Sequence, residues 1–99
     1  MFSHCVIFWT DPANSEAADA LLAGMEQYLR PIPGWLHFSC GKMQPSERAV
    51  VDCSYAVGLN LVFADREAEA AYQVHPQHIE FVEKVFKPLC TKAVVYDFA

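Results

Sequence analysis

The sequence predicts an α+β domain in which helices cover one face of a four-stranded antiparallel sheet. Ninety-nine residues allow one hydrophobic core and no second unit, so we expect a single domain over residues 1–99. Four apolar segments with strand-like patterns are separated by segments with helical periodicity. The apolar fraction of 54% exceeds the about 45–50% of an ordinary soluble domain, which indicates apolar surface that a partner covers.

The first half of the chain is predicted to form a strand, a helix and a second strand. Residues 2–9 (FSHCVIFW) are apolar at most positions, so both faces of this strand are expected to be covered. The segment TDPANSE offers several N-cap residues, and apolar residues then recur at helical spacing up to Leu29. Residues 31–34 (PIPG) end the helix, and the alternating segment 36–42 predicts the second strand.

The second half is predicted to contain two strands with a broken helix between them. The strands are expected over residues 54–63 and 91–98. Asp65 can cap a short helix over residues 66–74. Pro76 suits a first helical position, so a further helix is expected from there to about residue 85 or 86, where Pro88 ends it.

These elements follow the order β-α-β-β-α-β, which is typical of the ferredoxin-like fold. In this topology both helical segments pack on one face of the sheet, and we expect the other face to carry large apolar side chains on every strand. Left exposed, such a face would rival or exceed the roughly 300–600 Å² of the largest apolar patch on a typical monomer. Two such sheets can face each other across a core about 10 Å thick. We therefore predict a homodimer formed by sheet-to-sheet packing.

Charge and the length of apolar runs exclude several classes of function. The net charge is −5 and the seven Lys and Arg residues form no stripe, which predicts no binding of nucleic acid or anionic membranes. No apolar run approaches the roughly 18 residues of a transmembrane helix. The first apolar segment lacks a basic flank and a cleavage site, so we interpret it as a strand rather than a signal peptide. Four widely spaced cysteines then predict reduced thiols in the cytoplasm.

Four sequence segments carry a resemblance to a known family: HCVIFW, IPGW, AYQVHPQHIEFV and VVYDF. The most specific is the HPxHxxF pattern, which comprises His75, Pro76, His78 and Phe81. Over nearly its whole length the chain resembles the stress-responsive alpha/beta barrel (Dabb) family. The resemblance implies a ferredoxin-like fold, a dimeric α+β barrel and, for most members, no assigned reaction. A plant polyketide cyclase with this pattern uses a tyrosine and a histidine at the positions of Tyr72 and His78.

The residue pattern around Pro76 suggests acid–base chemistry. His78 lies in the first turn of the helix that begins at Pro76, where the helix dipole lowers the pKa of an imidazole. A neutral His78 can act as a general base, and Tyr72 can donate a hydrogen bond to a carbonyl or enolate oxygen. Together they would suit a cofactor-independent cyclase or lyase-like enzyme. The alternative is structural, with His75 capping the helix, His78 bonded to backbone and Tyr72 packed in the core.

Further residues are candidates for a binding pocket. His4 lies on the first strand and can join His78 if its face points toward the helices, with His75 in support. Gly58 and Asn60 share a strand face, which suggests either a small cavity or a dimer contact. Aromatic side chains are expected to line the pocket: Phe2, Phe8, Trp9, Tyr28, Phe81 and Phe86.

No cofactor or metal is predicted from these motifs. The HxxH spacing of His75 and His78 could supply two metal ligands, but Pro76 separates them across a helix break. The four glycines are scattered and form no phosphate-binding loop. Two hypotheses therefore stand. The first is a binding or structural module that holds a small apolar or aromatic ligand, or none. The second is the cofactor-independent enzyme.

Overall fold

The computed structural model describes residues 1–99 as four strands and three helical segments. The strands are β1 (Phe2–Thr10), β2 (Trp35–Lys42), β3 (Val57–Phe63) and β4 (Cys90–Phe98). The helices are α1 (Ala17–Gly24), α2 (Arg66–Gln73) and α3 (Pro76–Phe81). Helix α1 continues as a π-helical turn over Met25–Leu29, and α3 continues through a π-helical turn over Val82–Phe86 to a last turn at Lys87–Leu89. No helix is long and apolar enough to cross a bilayer.

The sheet has the strand order β2-β3-β1-β4, and every neighbouring pair is antiparallel. The predicted ferredoxin-like architecture with helices on one face is thus confirmed. Strand β1 is central, while β2 and β4 form the two edges. The pairing sets His4 opposite Leu61 on one side and Asp97 on the other. This register brings His4, near the start of the chain, next to Asp97, near its end.

The core lies between the helices and one face of the sheet. Strands β1 and β3 alternate between buried and partly exposed positions, so every second side chain points at the helices. The buried set from the sheet comprises Phe2, Val6, Phe8, Phe38, Val57, Leu59, Leu61 and Phe63. The helical segments supply Leu21, Met25, Leu29, Tyr72, Phe81 and Val85. Full burial of each such side chain contributes about 1.5–3 kcal/mol, which makes this layer the main source of stability.

The other face of the sheet, here called the open face, has no helix above it. Tyr96 and Phe98 on β4 are 59% and 60% exposed, and they lie opposite Cys5 and Ser3 of β1. Ile7 and Trp9 share the same face further along β1. Strand β2 contributes His37, Ser39 and Gly41 to this face, since Phe38 and Cys40 pair with the buried residues of β3. The expectation of large apolar side chains on every strand is therefore wrong for β2. The apolar part of the open face is concentrated on β1 and β4.

Two element boundaries differ from the sequence prediction by more than one residue. Strand β3 begins at Val57 rather than at residue 54. Pro88 lies inside the last helical turn and does not end the helix before it. In a regular α-helix a proline ring clashes with the carbonyl four residues earlier. The preceding π-helical turn, in which the Lys87 N–H donates to the Val82 carbonyl, widens the helix and relieves that clash.

Candidate functional site

A cavity of about 180 Å³ lies between the helices and the inner face of the sheet. Its walls are mainly apolar, with Phe8, Phe81 and Phe86 supplying aromatic rings. Leu29 and Val82, which also line it, belong to the two π-helical turns, a feature that recurs at functional sites. Val95 on the edge strand β4 borders the cavity and is 49% exposed, so the cavity opens to solvent at this edge.

One end of the cavity is polar and is formed by four side chains. Tyr72 and Gln73 come from the last turn of α2, His78 from the first turn of α3 and His4 from β1. The Tyr72 ring is central, since its centroid lies 4.9 Å from that of His78 and 6.1 Å from that of His4, both edge to face. Neither the Tyr72 hydroxyl nor the His78 ring has a hydrogen-bond partner within the chain. These two groups are therefore available to a ligand.

The surroundings set the protonation of both groups. Burial lowers the pKa of His78, and the neighbouring His4 lowers it further, so the ring is neutral at neutral pH and can accept a proton. Burial raises the pKa of Tyr72 well above its usual range, and the charge of Glu69 adds to this effect. Tyr72 thus keeps its proton and can donate a hydrogen bond. The pair combines one acceptor and one donor at the same end of an apolar cavity.

A hydrogen-bond network holds His4 behind this pair. The His4 Nδ1–H donates to Asp97 Oδ1 at 2.6 Å, because an ionised carboxylate can only accept. The other ring nitrogen, Nε2, lies 3.3 Å from the Gln73 amide nitrogen, which also donates to Glu69 Oε1 at 3.4 Å. Asp97 therefore fixes which His4 nitrogen carries the proton and leaves Nε2 as the acceptor on the helix side.

The structure brings together several of the residues that the sequence suggested. His78, Tyr72, His4 and Phe81 all line the cavity. The enzyme hypothesis requires Tyr72 and His78 to face one cavity, and their side chains do so. The structural alternative for His78 is also not observed, since its ring bonds to no backbone group.

His75 lies outside the cavity and has a local role. Its backbone is extended, and its Nδ1 accepts a hydrogen bond from the Gln77 N–H at 3.1 Å, so it is the N-cap of α3. The capping interpretation of this residue is confirmed. Its expected support of the binding pocket is corrected, because the cap directs the ring toward the backbone of its own helix.

Asn60 and Trp9 lie on the open face, away from the cavity. The Asn60 amide oxygen accepts from the Cys5 thiol at 3.4 Å, beside a shallow depression at the Gly41–Gly58 pair. The Trp9 indole N–H donates to Ser54 Oγ at 3.0 Å. Both expected positions in the pocket are corrected, since strand alternation sends these side chains to the face opposite His4 and Phe8. Phe2 and Tyr28 also do not reach the cavity.

The sequence analysis did not identify three residues at the polar end of the cavity. Asp97, Glu69 and Gln73 complete the network around His4. A partial signal for two of them exists, because Glu69 and Gln73 are four apart and flank Tyr72 on one face of α2. Asp97 has no local signal, since only the β1–β4 register places it opposite His4.

The fold is shared with several solved structures. A Dabb family protein with a ferredoxin-like fold from Mesorhizobium loti is 28% identical, with 99% of this chain and 94% of that chain covered and a TM-score of 0.80. A dimeric ferredoxin-like protein of unknown function from Jannaschia sp. is 22% identical over 99% and 97% of the two chains, with a TM-score of 0.77. Hydroxynitrile lyase from Passiflora edulis is 18% identical over 98% and 90%, with a TM-score of 0.76.

The sequence comparisons identify the family. No curated protein matches the chain significantly. The model of the stress responsive A/B barrel domain (Dabb) matches residues 2–99, which include all four strands and the HPxHxxF segment. The chain therefore belongs to the stress responsive A/B barrel (Dabb) family.

Proposed function

We propose that the chain is a homodimeric small-molecule-binding domain whose cavity holds a single aromatic ring or a compact apolar group with one polar substituent. The observation that carries the proposal is the unpaired Tyr72 hydroxyl and His78 ring at one end of an otherwise apolar cavity. Binding sites for small molecules combine apolar walls with a few polar groups in this way.

The cavity size limits the ligand. An apolar protein cavity of about 150 Å³ holds benzene, so a volume of about 180 Å³ suits one ring with a small substituent. A carbonyl oxygen can accept from Tyr72, while a hydroxyl or an acidic C–H can face the neutral His78. Asp97 and Glu69 lie nearby and disfavour an anionic ligand. We infer a neutral compound with a carbonyl or phenolic oxygen.

We infer that the open face forms the dimer contact. Tyr96 and Phe98 are large and more than half exposed, and Ile7, Trp9 and Val94 extend the same apolar surface across β1 and β4. A face-to-face arrangement of two sheets would remove this surface from water. The structurally similar Jannaschia protein is described as dimeric, which supports the same assembly here. The face pairs with a second copy of itself, as a two-fold interface requires.

We place the protein in a reducing compartment such as the cytoplasm. All four cysteines are free thiols, and none is within a disulfide. Desolvation raises the pKa of Cys90 to about 11, and burial also raises the pKa values of Cys5 and Cys40. Raised pKa values are typical of inert thiols that act as small apolar groups rather than as nucleophiles.

A second candidate is a cofactor-independent cyclase or lyase-like enzyme. It is favoured by one specific observation, the proximity of a neutral His78 to a protonated Tyr72 in the same cavity. His78 would remove a proton from a carbon next to a carbonyl, and Tyr72 would stabilise the charge that develops on the oxygen. The same fold hosts lyase chemistry in the Passiflora edulis protein, which supports this candidate by analogy only.

The binding proposal is tested by a screen of single-ring phenols, aldehydes and ketones against the parent, Tyr72→Phe and His78→Ala. The matched control is Ile79→Ala, because Ile79 is the next residue on α3, is 54% exposed and lies outside the cavity. We expect compounds that raise the melting temperature of the parent and the control equally. Each cavity variant should bind them about fivefold to tenfold more weakly, the worth of one hydrogen bond.

Equal responses from all four proteins, or no response from any, would contradict the binding proposal. The enzyme candidate adds a second readout to the same proteins. If His78 is a base, a bound ketone should exchange its α-protons with deuterated water about a hundredfold faster with the parent than with His78→Ala. Binding without such exchange would leave the binding module as the function.

A further inference from the structure

The polar end of the cavity contains a second cluster, formed by His4, Glu69 and Asp97. Each of these side chains offers one nitrogen or oxygen atom, and the three atoms lie within 4.8 Å of one another. They come from β1, α2 and β4, so the cluster exists only in the folded chain. The proposed ligand site uses Tyr72 and His78, which leaves the function of these three residues unassigned.

The charge balance of the cluster is unusual. Glu69 is 9% exposed, yet none of the Lys or Arg residues forms an ion pair with it or with Asp97. Its one hydrogen-bond donor within the chain is the neutral Gln73 amide, at 3.4 Å. Buried charges in proteins are normally paired with an opposite charge or bound to a metal ion. Two carboxylates with one imidazole therefore leave an excess of negative charge at this point.

The geometry suits a metal ion. Metal–ligand bonds of about 2.0–2.2 Å place neighbouring ligand atoms roughly 3–4.4 Å apart, so three atoms within 4.8 Å of one another can converge on one ion. Binding would displace the proton from His4 Nδ1 and move this nitrogen away from Asp97 Oδ1, which now lies 2.6 Å from it. The Asp97 side chain is 37% exposed and gives the ion a route from solvent. Gln73 contacts both His4 and Glu69, in the position of a group that orients two metal ligands.

We propose that His4, Glu69 and Asp97 bind one divalent transition-metal ion per chain. One imidazole nitrogen with two carboxylates is a donor set that suits Mn²⁺, Fe²⁺ or Zn²⁺, whereas Mg²⁺ prefers oxygen ligands alone and retains its waters. The ion would neutralise Glu69 and fix the wall of the cavity behind Tyr72. This site adjoins that of the proposed organic ligand, because His4 also lines the cavity, but its ligands differ from Tyr72 and His78, which the organic ligand contacts.

The experiment uses MnCl₂ and ZnCl₂ as probes and chelator-treated, dialysed protein without any organic ligand. Calorimetric titration gives stoichiometry and affinity, and the loss of the free Mn²⁺ electron paramagnetic resonance signal reports binding directly. Glu69→Gln and Asp97→Asn remove one carboxylate charge each with little change in shape. Glu67→Gln is the matched control, because Glu67 is an exposed acid on the same helix.

We expect one ion per chain for the parent and for Glu67→Gln, and at least a tenfold loss of affinity in both Glu69→Gln and Asp97→Asn. A folded Glu69→Gln protein without metal should melt at a higher temperature than the metal-free parent, since an uncompensated buried charge is removed. Absence of binding to the parent at about 1 mM ion would overturn the proposal. Equal affinities for Glu69→Gln and Glu67→Gln would overturn it too. Binding of the organic ligand is measured separately, in the presence of a chelator. Failure of the metal proposal is therefore distinguishable from failure of the proposed binding function.

Discussion

Side chains alternate between the two faces of the sheet in the same way, but one face is buried and the other is exposed to solvent. On the inner face, Leu61 and Phe63 are fully buried beneath the helices. On the open face, Tyr96 and Phe98 of the edge strand are more than half exposed, although their aromatic rings are as large as the side chains buried on the inner face. The difference lies in the number of helical layers, because the chain supplies one and the sheet has two sides. The inner face is completed within the chain, and we propose that a second molecule covers the open face.

The comparison also separates the proposed ligand site from the proposed dimer contact. The inner face is tightly packed except at one cavity, and that cavity carries the unpaired Tyr72 and His78 groups. The open face carries a depression at Gly41 and Gly58, where two facing glycines leave no side chain. A cavity with a few polar groups beneath a layer of helices is typical of a binding site. An uncovered apolar sheet face is typical of a protein–protein interface.

The largest expected effect comes from a charge on the open face. Ile7 lies on the central strand beside Val94 and points away from the helices, so Ile7→Lys should abolish the dimer at about 10 µM, a loss of more than about 3 kcal/mol of association energy. Analytical ultracentrifugation measures the mass. Val50→Lys is the control, because Val50 is 81% exposed in a loop. A dimer that survives Ile7→Lys would show that the open face is not the contact.

A smaller effect is expected on the inner side, where the two helices cross. A Cβ atom at Gly24 would lie 2.5 Å from Val85 Cγ1, too close for any side-chain contact. Gly24→Ala should therefore lower the free energy of unfolding by about 1–3 kcal/mol, although alanine is the better helix former. Urea denaturation measures the change.

The matched test of this contact is a double-mutant cycle with Val85→Ala, which removes the two methyl groups that Gly24→Ala meets. The two substitutions should be coupled by at least about 1 kcal/mol, with Val85→Ala costing less in the Gly24→Ala background. Simple additivity would mean that the helices separate at this point without strain.

The smallest effect concerns pH and the polar end of the cavity. Burial lowers the pKa of His78 in the folded chain, so the unfolded chain binds a proton first as pH falls below about 6.5. Stability from this group is present near neutral pH and is lost on acidification, by up to about 1 kcal/mol. Urea denaturation at about pH 7.5 and 5.5 should show a smaller pH dependence for His78→Gln than for the parent. An identical dependence would place the His78 ring in water.

Much of the fold follows from local sequence. The Asp65 side chain accepts from the Ala68 N–H at 2.9 Å, as its position before a helical pattern predicts. The proline after His75 marks the helix start that the structure contains. Alternation correctly separates His4 and Phe8 from Cys5 and Trp9. These features depend on residues within one turn of each other, where the physical causes are visible in the sequence.

The rest depends on contacts between distant segments. The His4–Asp97 pair joins opposite ends of the chain, and only the register of β1 with β4 creates it. Placing Trp9 and Asn60 required knowledge of which sheet face the helices cover, and alternation alone leaves that choice open. The π-helical turn that accommodates Pro88 is not visible in the helical periodicity of the sequence.

The most direct test of the account is the mass of the parent in solution. The central claim is that one layer of helices leaves the open face to be covered by a second copy. Light scattering on folded protein at about 10 µM should give twice the 11.1 kDa of one chain. A well-folded species of 11.1 kDa under those conditions would contradict the claim.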